Sequence, residues 1–403
     1  MEAYLLDWAN LLLRWLHVIS GVAWIGASFY FVMLDNSLTQ PVKRSDSDKG
    51  VSGELWAVHG GGFYHSQKYK VGPKGEPLSD NLHWSKWEAY TTWFSGMALL
   101  VIIYWFGANT YLIDQQVMPM SATMAITISG SVLVAGWLIY NTLCRVLANK
   151  DTLLTAIILL LIIATDWALF QAFSARAAYL HVGAMMGTIM VFNVMIHIIP
   201  GQKKVVAQIR AGEEPDSAPG IIGKQRSVHN TYFTLPVLFI MISGHYPITY
   251  GNEHGWLVLA FVMMAGVLIR QFFVLRHRGQ VLWWLPVIGI IILLALIWVL
   301  RPSTEGIDNT ASVAIVSDAQ VTQVIAARCT ACHAVSPTQA GFSAPPLGLV
   351  LESSEQIALN AEKIATSVQS HYMPLGNLTG MTYEERLIIS TWYRQRSTIK
   401  QPL

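Results

Sequence analysis

The sequence predicts an all-α protein in which an eight-helix transmembrane bundle is followed by a small C-terminal domain. Hydrophobic residues make up 53% of the 403 residues, charged residues make up only 12%, and there are 15 tryptophans. A typical soluble chain has about twice that charged fraction, so the composition indicates a polytopic membrane protein. The formal net charge of +2 is close to zero, which argues against a nucleic-acid partner.

Eight apolar segments are long enough to cross about 30 Å of hydrocarbon at roughly 20 residues each. They are predicted at residues 8–34, 87–106, 124–147, 153–173, 177–199, 231–250, 256–275 and 281–300. No basic region precedes the first segment and no small-residue cleavage pattern follows it. We therefore expect the first segment to be a retained helix and not a cleaved signal.

Lysine and arginine are concentrated in alternate loops between the predicted spans. The second and sixth loops have none, and the fourth has only Arg176. The odd-numbered loops contain Lys43, Arg44, Lys49, Lys68, Lys70, Lys74, Lys86, Arg145, Lys150, Lys203, Lys204, Arg210, Lys224, Arg226, Arg276 and Arg278. Because short loops rich in lysine and arginine stay on the cytoplasmic side, both termini are predicted to lie outside the cytoplasm.

The C-terminal part contains the motif Cys329-Thr330-Ala331-Cys332-His333, which is typical of c-type haem attachment. The two cysteines would form thioethers to the haem vinyl groups, and His333 would bind the iron. A disulfide or half of a zinc site is the alternative, but a zinc site requires a second ligand pair, and Cys144 is the one cysteine left. Haem c is attached outside the cytoplasmic membrane in bacteria, so the motif and the loop cations agree. Both predict the inner membrane with a periplasmic C-terminal domain.

The sixth iron ligand is expected after the motif, with His371, Met373 and Met381 as candidates. Met373 is favoured because Pro374 follows it, which suits an irregular loop that presents a thioether. Ligation by histidine and methionine would give the iron a higher potential than two histidines. The predicted organisation is an oxidase domain at 1–300, a linker at 301–317 and a class I cytochrome c domain at 318–403. Its first helix is expected at 318–329 and its last at 382–396.

Three histidines, His17, His181 and His245, fall in the outer halves of predicted spans. Polar rings inside a membrane are costly and therefore suggest function. A second haem, of b type, held by two of these imidazoles is one interpretation. Hydrogen bonds between helices are the other.

Five histidines are expected on the cytoplasmic side. His197 and His229 lie near the inner ends of spans, and the long first loop contains His59, His65 and His83. Together with aromatic side chains and the glycines at 60–62, these imidazoles would suit a flat, polar, aromatic substrate. The alternative is an interfacial aromatic belt around an irregular glycine turn.

The whole chain resembles the integral-membrane urate oxidases (urate hydroxylases) fused to a cytochrome c, which act in bacterial purine catabolism. The resemblance rests on residues 14–18 (RWLHV), 56–65 (WAVHGGGFYH), 83–90 (HWSKWEAY), 229–237 (HNTYFTLPV) and 373–382 (MPLGNLTGMT). It implies oxidation of urate with water to 5-hydroxyisourate. It also implies electron transfer to haem c and on to a soluble cytochrome c or terminal oxidase, without hydrogen peroxide release.

With urate as substrate, a histidine of the inner set is expected to act as general base. The competing hypothesis is a b/c-type electron-transfer subunit of a membrane dehydrogenase, with no substrate of its own. A transporter that uses the intramembrane histidines is a third and weaker alternative. The long aromatic inner loop favours the enzyme, since an electron conduit has little use for it.

Overall fold

The structure is a computed structural model that describes residues 2–252, 254–301, 315–339, 342 and 344–399. The described residues are mostly helical, with 69% in helices and 5% in strands. The helices of the first 301 residues are α1 (Glu2–Asn36), α2 (Arg44–Asp48), α3 (Trp87–Leu99), α4 (Ala108–Tyr111), α5 (Ala122–Val146), α6 (Asp151–Phe170), α7 (Ala175–Phe192), α8 (Ile199–Arg210), α9 (Ala218–Ser243), α10 (Pro247–Tyr250), α11 (Gly255–His277) and α12 (Trp284–Val299). π-helical turns at Leu100–Trp105 and Asn193–Ile198 extend α3 and join α7 to α8.

A helix lies in each of the eight segments predicted to span a membrane. Among the described residues, five helices are long and apolar enough to do so. They are Tyr4–Asn36, Ala122–Val146, Asp151–Phe170, Ala175–Arg210 and Gly255–His277. That the helices in the other three segments also cross a membrane, giving an eight-helix transmembrane bundle, stays a prediction.

The helix in the region of the sixth predicted span begins and ends earlier in the sequence than predicted. Helix α9 begins at Ala218, not at residue 231, so Arg226 and His229 are helical residues and do not belong to a loop and a helix edge. The helix ends at Ser243, because Gly244 interrupts it and Pro247 starts the separate short helix α10. His245 therefore lies in an exposed turn and not inside a span, which corrects the prediction for that residue.

A two-stranded antiparallel hairpin interrupts the helical architecture. Strands β1 (Val51–His59) and β2 (Gly62–Tyr69) pair in register from His59 opposite Gly62, and the turn uses positive φ angles at Gly60 and Gly61. The all-α prediction missed this hairpin. Lys68 of β2 and Lys224 of α9 both pair with Asp35 at the end of α1, so the hairpin is tied to the ends of two long helices.

Helix α7 lies at the centre of the bundle and packs against α5, α6 and α9. Close approach depends on small residues: a Cβ atom at Gly183 would lie 2.6 Å from Ile240 Cγ2 of α9. A Cβ atom at Gly136 of α5 would lie 2.5 Å from Met185 Cγ of α7. Packing through small residues is how apolar helices approach when lipid offers no hydrophobic driving force.

The C-terminal part consists of α13 (Asp318–Arg328), α14 (Thr330–His333), α15 (Ser354–Leu359), α16 (Ala361–Gln369) and α17 (Tyr383–Ile399). The predicted first and last helices are confirmed to within one residue at their starts. Reciprocal Ser317–Gln320 bonds cap α13, and reciprocal Thr382–Glu385 bonds cap α17. These helices share their own core, which includes Ile325, Ile389 and Trp392. Most of the predicted linker at 301–317 lies outside the described residues.

Candidate functional site

Seven polar or aromatic side chains form one connected group inside the bundle, which we call the inner network. They come from three helical segments: α5, the π-helical turn Asn193–Ile198 (called the π turn below) and α9. The residues are Tyr140 and Asn141 of α5, Asn193 and His197 of the π turn, and Arg226, His229 and Asn230 of α9. Tyr140 is 18 residues after the start of α5 at Ala122, or about 27 Å along the helix axis. The inner network therefore lies near the end of α5 that is predicted to face the cytoplasm.

Arg226 is the one cation of the inner network. It is 2% exposed, and its guanidinium carbon lies 5.0 Å from the centre of the Tyr140 ring. Its Nη2 donates a 2.9 Å hydrogen bond to Asn141 Oδ1, while its Nε is buried and forms no hydrogen bond with any described residue. Within the described part of the chain, no carboxylate forms an ion pair with it. A buried charge without a counter-charge is costly, so this position favours a bound anion.

His229 is bonded through its ring Nδ1, which lies 2.8 Å from the Tyr140 hydroxyl. Asn193 Nδ2 donates to the same hydroxyl oxygen at 3.0 Å and to Asn230 Oδ1 at 2.9 Å. The Nε2 of His229 takes no part in these bonds. In the tautomer that donates from Nδ1 to the Tyr140 hydroxyl oxygen, the neutral ring keeps a lone pair on Nε2, which is what a general base requires. In the other tautomer the hydroxyl donates to Nδ1, and Nε2 carries the proton.

His197 joins the network from the π turn. Its Nε2 lies 2.8 Å from Asn141 Oδ1, the oxygen that also accepts from Arg226. The structure thus brings His197 and His229 into one network, as expected for two inner residues. Single π turns within α-helices are often found at functional sites, and here the turn supplies both Asn193 and His197.

The histidines of the first loop have partners other than the inner network, or are exposed. His65 on β2 has Nε2 2.9 Å from Glu54 Oε2, and its ring stacks on Trp56 at 4.2 Å between centroids. The backbone N–H of Val42 holds the pKa of Glu54 below its usual range, with a further contribution from His65. His59 at the hairpin turn and His83 ahead of α3 are exposed. No hydrogen bond between described residues connects these three histidines to the inner network, so their predicted role in the site stays a prediction.

The outer histidines do not fit a haem b between two imidazoles. His181 has both nitrogens engaged, with Nε2 2.7 Å from Ser129 Oγ and Nδ1 2.7 Å from the carbonyl oxygen of Ala177. His17 binds α3 through Nδ1, 2.9 Å from the carbonyl oxygen of Thr92. His245 is in the turn after α9. The contacts of His17 and His181 are the interhelical and local hydrogen bonds of the alternative interpretation.

The residues around Cys329, Cys332 and His333 do fit a covalently attached haem. Neither cysteine forms a disulfide, and among the described residues no group of three or more histidine, cysteine, aspartate or glutamate side chains could supply the ligands of a zinc site. His333 is 8% exposed, and its Nδ1 donates a 2.9 Å hydrogen bond to the carbonyl oxygen of Leu349. This bond fixes the tautomer and leaves Nε2 with a lone pair for iron.

The proposed sixth ligand, Met373, is held through its backbone. Its N–H donates to the carbonyl oxygen of Ser367 at 3.0 Å, and its own carbonyl accepts from Arg386 Nη1 at 2.8 Å. Met381 is completely buried in the core of the C-terminal domain, as expected for a packing residue, and His371 is exposed. These positions are compatible with Met373 as the ligand, which stays a prediction.

Comparison with protein families gives a match over residues 3–301 to the family described as urate oxidase, N-terminal. The chain belongs to this family. Comparisons with curated proteins and with solved structures gave no match. Family membership relates the chain to urate oxidases and supports urate as the substrate and an oxidoreductase activity. The matched range includes the whole inner network and ends before the Cys-x-x-Cys-His motif.

Several residues of the inner network were missed from the sequence. Arg226 was counted only as a loop cation, although it lies three residues before His229 and so on the same helix face. Asn193 is an amide within an apolar run, Asn230 lies between His229 and Thr231 at the start of another, and Tyr140 and Asn141 lie near the end of a third. Adjacent polar residues near the inner ends of three spans were the available signal.

Proposed function

We propose that the protein is a membrane-bound urate oxidase, or urate hydroxylase, which converts urate and water to 5-hydroxyisourate. The reaction adds one water oxygen to the purine ring and removes two electrons and two protons. The electrons pass to a haem c on the C-terminal domain and then to a soluble cytochrome c or terminal oxidase. Oxygen is then not the direct acceptor, and hydrogen peroxide is not released.

The observation that carries this proposal is the buried, unpaired charge of Arg226 within the part of the chain that matches the urate oxidase family. Urate is a planar anion at neutral pH. A guanidinium group can pair with its charge, and the amides of Asn193 and Asn230 can exchange hydrogen bonds with its ring nitrogens and carbonyl oxygens. In the structure these groups bond to one another.

The general base we assign is His229. With the ring proton on Nδ1 and donated to the Tyr140 hydroxyl oxygen, Nε2 can take a proton from urate or from the attacking water. His197 is a positioning residue, because it acts on Arg226 through the shared oxygen of Asn141. His59, His65 and His83 remain predicted contributors at the cytoplasmic face, and alanine substitution of each one tests that role.

Cys329 and Cys332 would hold a haem c through thioethers, and His333 and Met373 would bind its iron. The haem would accept one electron at a time. The protein holds His333 through the Leu349 carbonyl and the Met373 loop through Arg386. In a bacterial cell this domain would lie in the periplasm and the bundle in the inner membrane.

The test is the stoichiometry of turnover by the purified full-length protein with ferricytochrome c as acceptor. We expect two ferricytochromes to be reduced for each urate consumed, with no peroxide formed. One peroxide per urate would contradict the electron route. No urate consumption by protein with its haem attached would favour the electron-transfer-subunit hypothesis.

A further inference from the structure

A small cavity lies where the bundle meets the C-terminal domain, at the opposite end of the bundle from the inner network. We call it the junction cavity, and its volume is about 70 Å³. The bundle contributes the end of α4, the first turn of α7 and the turn after α10. The C-terminal domain contributes the segment that contains Met373. The lining residues used below are Tyr111, Asp114, Arg176, Tyr250, His371 and Tyr372.

The two parts approach closely on both sides of this cavity. A Cβ atom at Gly251 would lie 1.7 Å from the carbonyl oxygen of Ser370. A Cβ atom at Gly376 would lie 2.8 Å from the carbonyl oxygens of both Thr110 and Ile113. Only glycine leaves room for these contacts, so the Met373 segment is seated directly on the bundle.

Two polar groups that line the cavity have no partner among the described residues. Tyr250 is 3% exposed, and no described residue forms a hydrogen bond with its hydroxyl. Arg176 has a buried Nε that is also without a partner, and no described carboxylate forms an ion pair with this residue. Buried donors are almost always satisfied in native proteins, so two orphan donors in one cavity indicate a missing acceptor.

The electrostatics of the cavity favour an anion as that acceptor. Arg176 is in the first turn of α7, where the helix dipole is positive. The Ser174 hydroxyl donates to the carbonyl oxygen of Tyr111 and does not cap this helix. Asp114 is the one carboxylate among the described residues that line the cavity, and it accepts a hydrogen bond from the backbone N–H of Gln116 and interacts with Arg386.

The cavity is also close to the cysteine motif. Tyr111 is near enough to Cys332 for the two groups to interact electrostatically. His371 and Tyr372, on the opposite wall, immediately precede Met373. A haem attached through the motif and bound by Met373 would bring two carboxylates, its propionates, into this region.

We propose that Arg176 and Tyr250 bind a carboxylate in the junction cavity, and that this carboxylate is a propionate of the haem attached to Cys329 and Cys332. The inference rests on the proposed function, because it requires the haem c. It adds that the membrane domain supplies part of the haem environment. The bundle then sets the haem potential as well as binding the substrate.

The charge of Arg176 gives the proposal a measurable consequence. A positive charge that neutralises a propionate disfavours the ferric haem, so its removal should lower the midpoint potential. We expect Arg176→Gln to shift the ratio of oxidised to reduced haem about tenfold at fixed potential, which corresponds to 59 mV for one electron. The propionate, without its cation, should then titrate in the mildly acidic range and make the potential depend on pH.

The experiment is a spectroelectrochemical titration of the full-length protein for the wild type, Arg176→Gln, Arg176→Lys and Tyr250→Phe. Arg276→Gln, which removes an exposed arginine at the other end of the bundle, is the matched control and should leave the potential unchanged. We expect Arg176→Lys to shift the potential less than Arg176→Gln, and Tyr250→Phe to lower it. Where Arg176→Gln fails to fold, these two variants provide the test.

Three results would overturn the proposal. One is a potential that changes in neither Arg176→Gln nor Tyr250→Phe. Another is suppression of the Arg176→Gln shift by Asp114→Asn, which would mean that Arg176 only balances Asp114. The third is a saturable shift of the wild-type potential by acetate or phosphate, which would mean that the cavity takes a free anion. Wild-type protein without covalent haem would contradict the proposed function itself, and a haem stain of the denatured protein identifies that case.

Discussion

Arg226 and Asn141 are joined by a 2.9 Å hydrogen bond from Nη2 to Oδ1, and His197 Nε2 lies 2.8 Å from the same oxygen. One amide oxygen therefore links a buried cation on α9 to an imidazole on the π turn after α7. The bond fixes the guanidinium group beside Tyr140, and this arrangement is the basis of the first prediction.

Arg226→Gln should raise the KM for urate about 10- to 100-fold, because a charge-assisted hydrogen bond is worth about 1.5–3 kcal/mol. Arg226→Lys keeps the charge without the forked geometry, so its KM should lie between those of the wild type and Arg226→Gln. Steady-state kinetics with urate measure both. Lys224→Gln is the matched control, since it removes an exposed cation two residues away that pairs with Asp35. An unchanged KM in Arg226→Gln would exclude this residue from the substrate site.

His229→Gln should lower kcat by about two orders of magnitude or more, because general base catalysis contributes roughly 10²–10⁴-fold. Tyr140→Phe removes only the hydroxyl that orients the imidazole, so it should lower kcat less than His229→Gln does. The measurement is kcat at saturating urate for both variants. A larger loss of kcat in Tyr140→Phe than in His229→Gln would contradict the assignment of His229 as the base and of Tyr140 as the residue that orients it.

Cys329→Ser, Cys332→Ser or both should reduce or abolish covalent haem attachment, because each thioether needs its own sulfur. A haem stain after denaturing electrophoresis measures this directly. Cys144→Ser is the control, since Cys144 is buried in α5 within the bundle and should have no effect on the stain. Full staining of the double variant Cys329→Ser/Cys332→Ser would contradict a c-type haem.

The contact between Glu54 and His65 predicts a pH dependence of the hairpin. The pKa of Glu54 is lowered below its usual value of 4.5 in the folded protein, mainly by the Val42 N–H. The stabilisation is therefore complete above the unfolded pKa and is lost as the pH falls through the lower folded pKa. Hydrogen exchange of the hairpin should increase in that acidic window. Glu54→Gln should exchange faster at neutral pH and show no such step, and a variant that behaves like the wild type would contradict the linkage.

Much of the fold could be predicted, because apolar runs of span length and helix caps are local signals. The starts of α13 and α17 followed from such caps and patterns. The hairpin was missed, since the glycines at 60–62 indicated an irregular turn and the strand pairing of Trp56 with His65 depends on contacts across that turn. The early start of α9 was missed because Lys224 and Arg226 suggested a loop.

The candidate site could be predicted only in part. His197 and His229 were expected on the same side of the membrane, and helix packing brings both into the inner network. Whether His59, His65 and His83 fold over that network depends on the path of a long loop, which residue spacing does not determine. Arg226 was missed because its burial results from packing between α5, the π turn and α9, and its charge alone indicated the cytoplasmic side.

The most direct test of the account is anaerobic addition of urate to the purified, oxidised full-length protein while the α band of the c-type haem is monitored. We predict reduction of the haem, with an extent that depends on urate concentration and is lost in Arg226→Gln at low urate. That result would establish the substrate and the internal electron route together. An oxidised haem that dithionite reduces but urate does not would contradict the central claim.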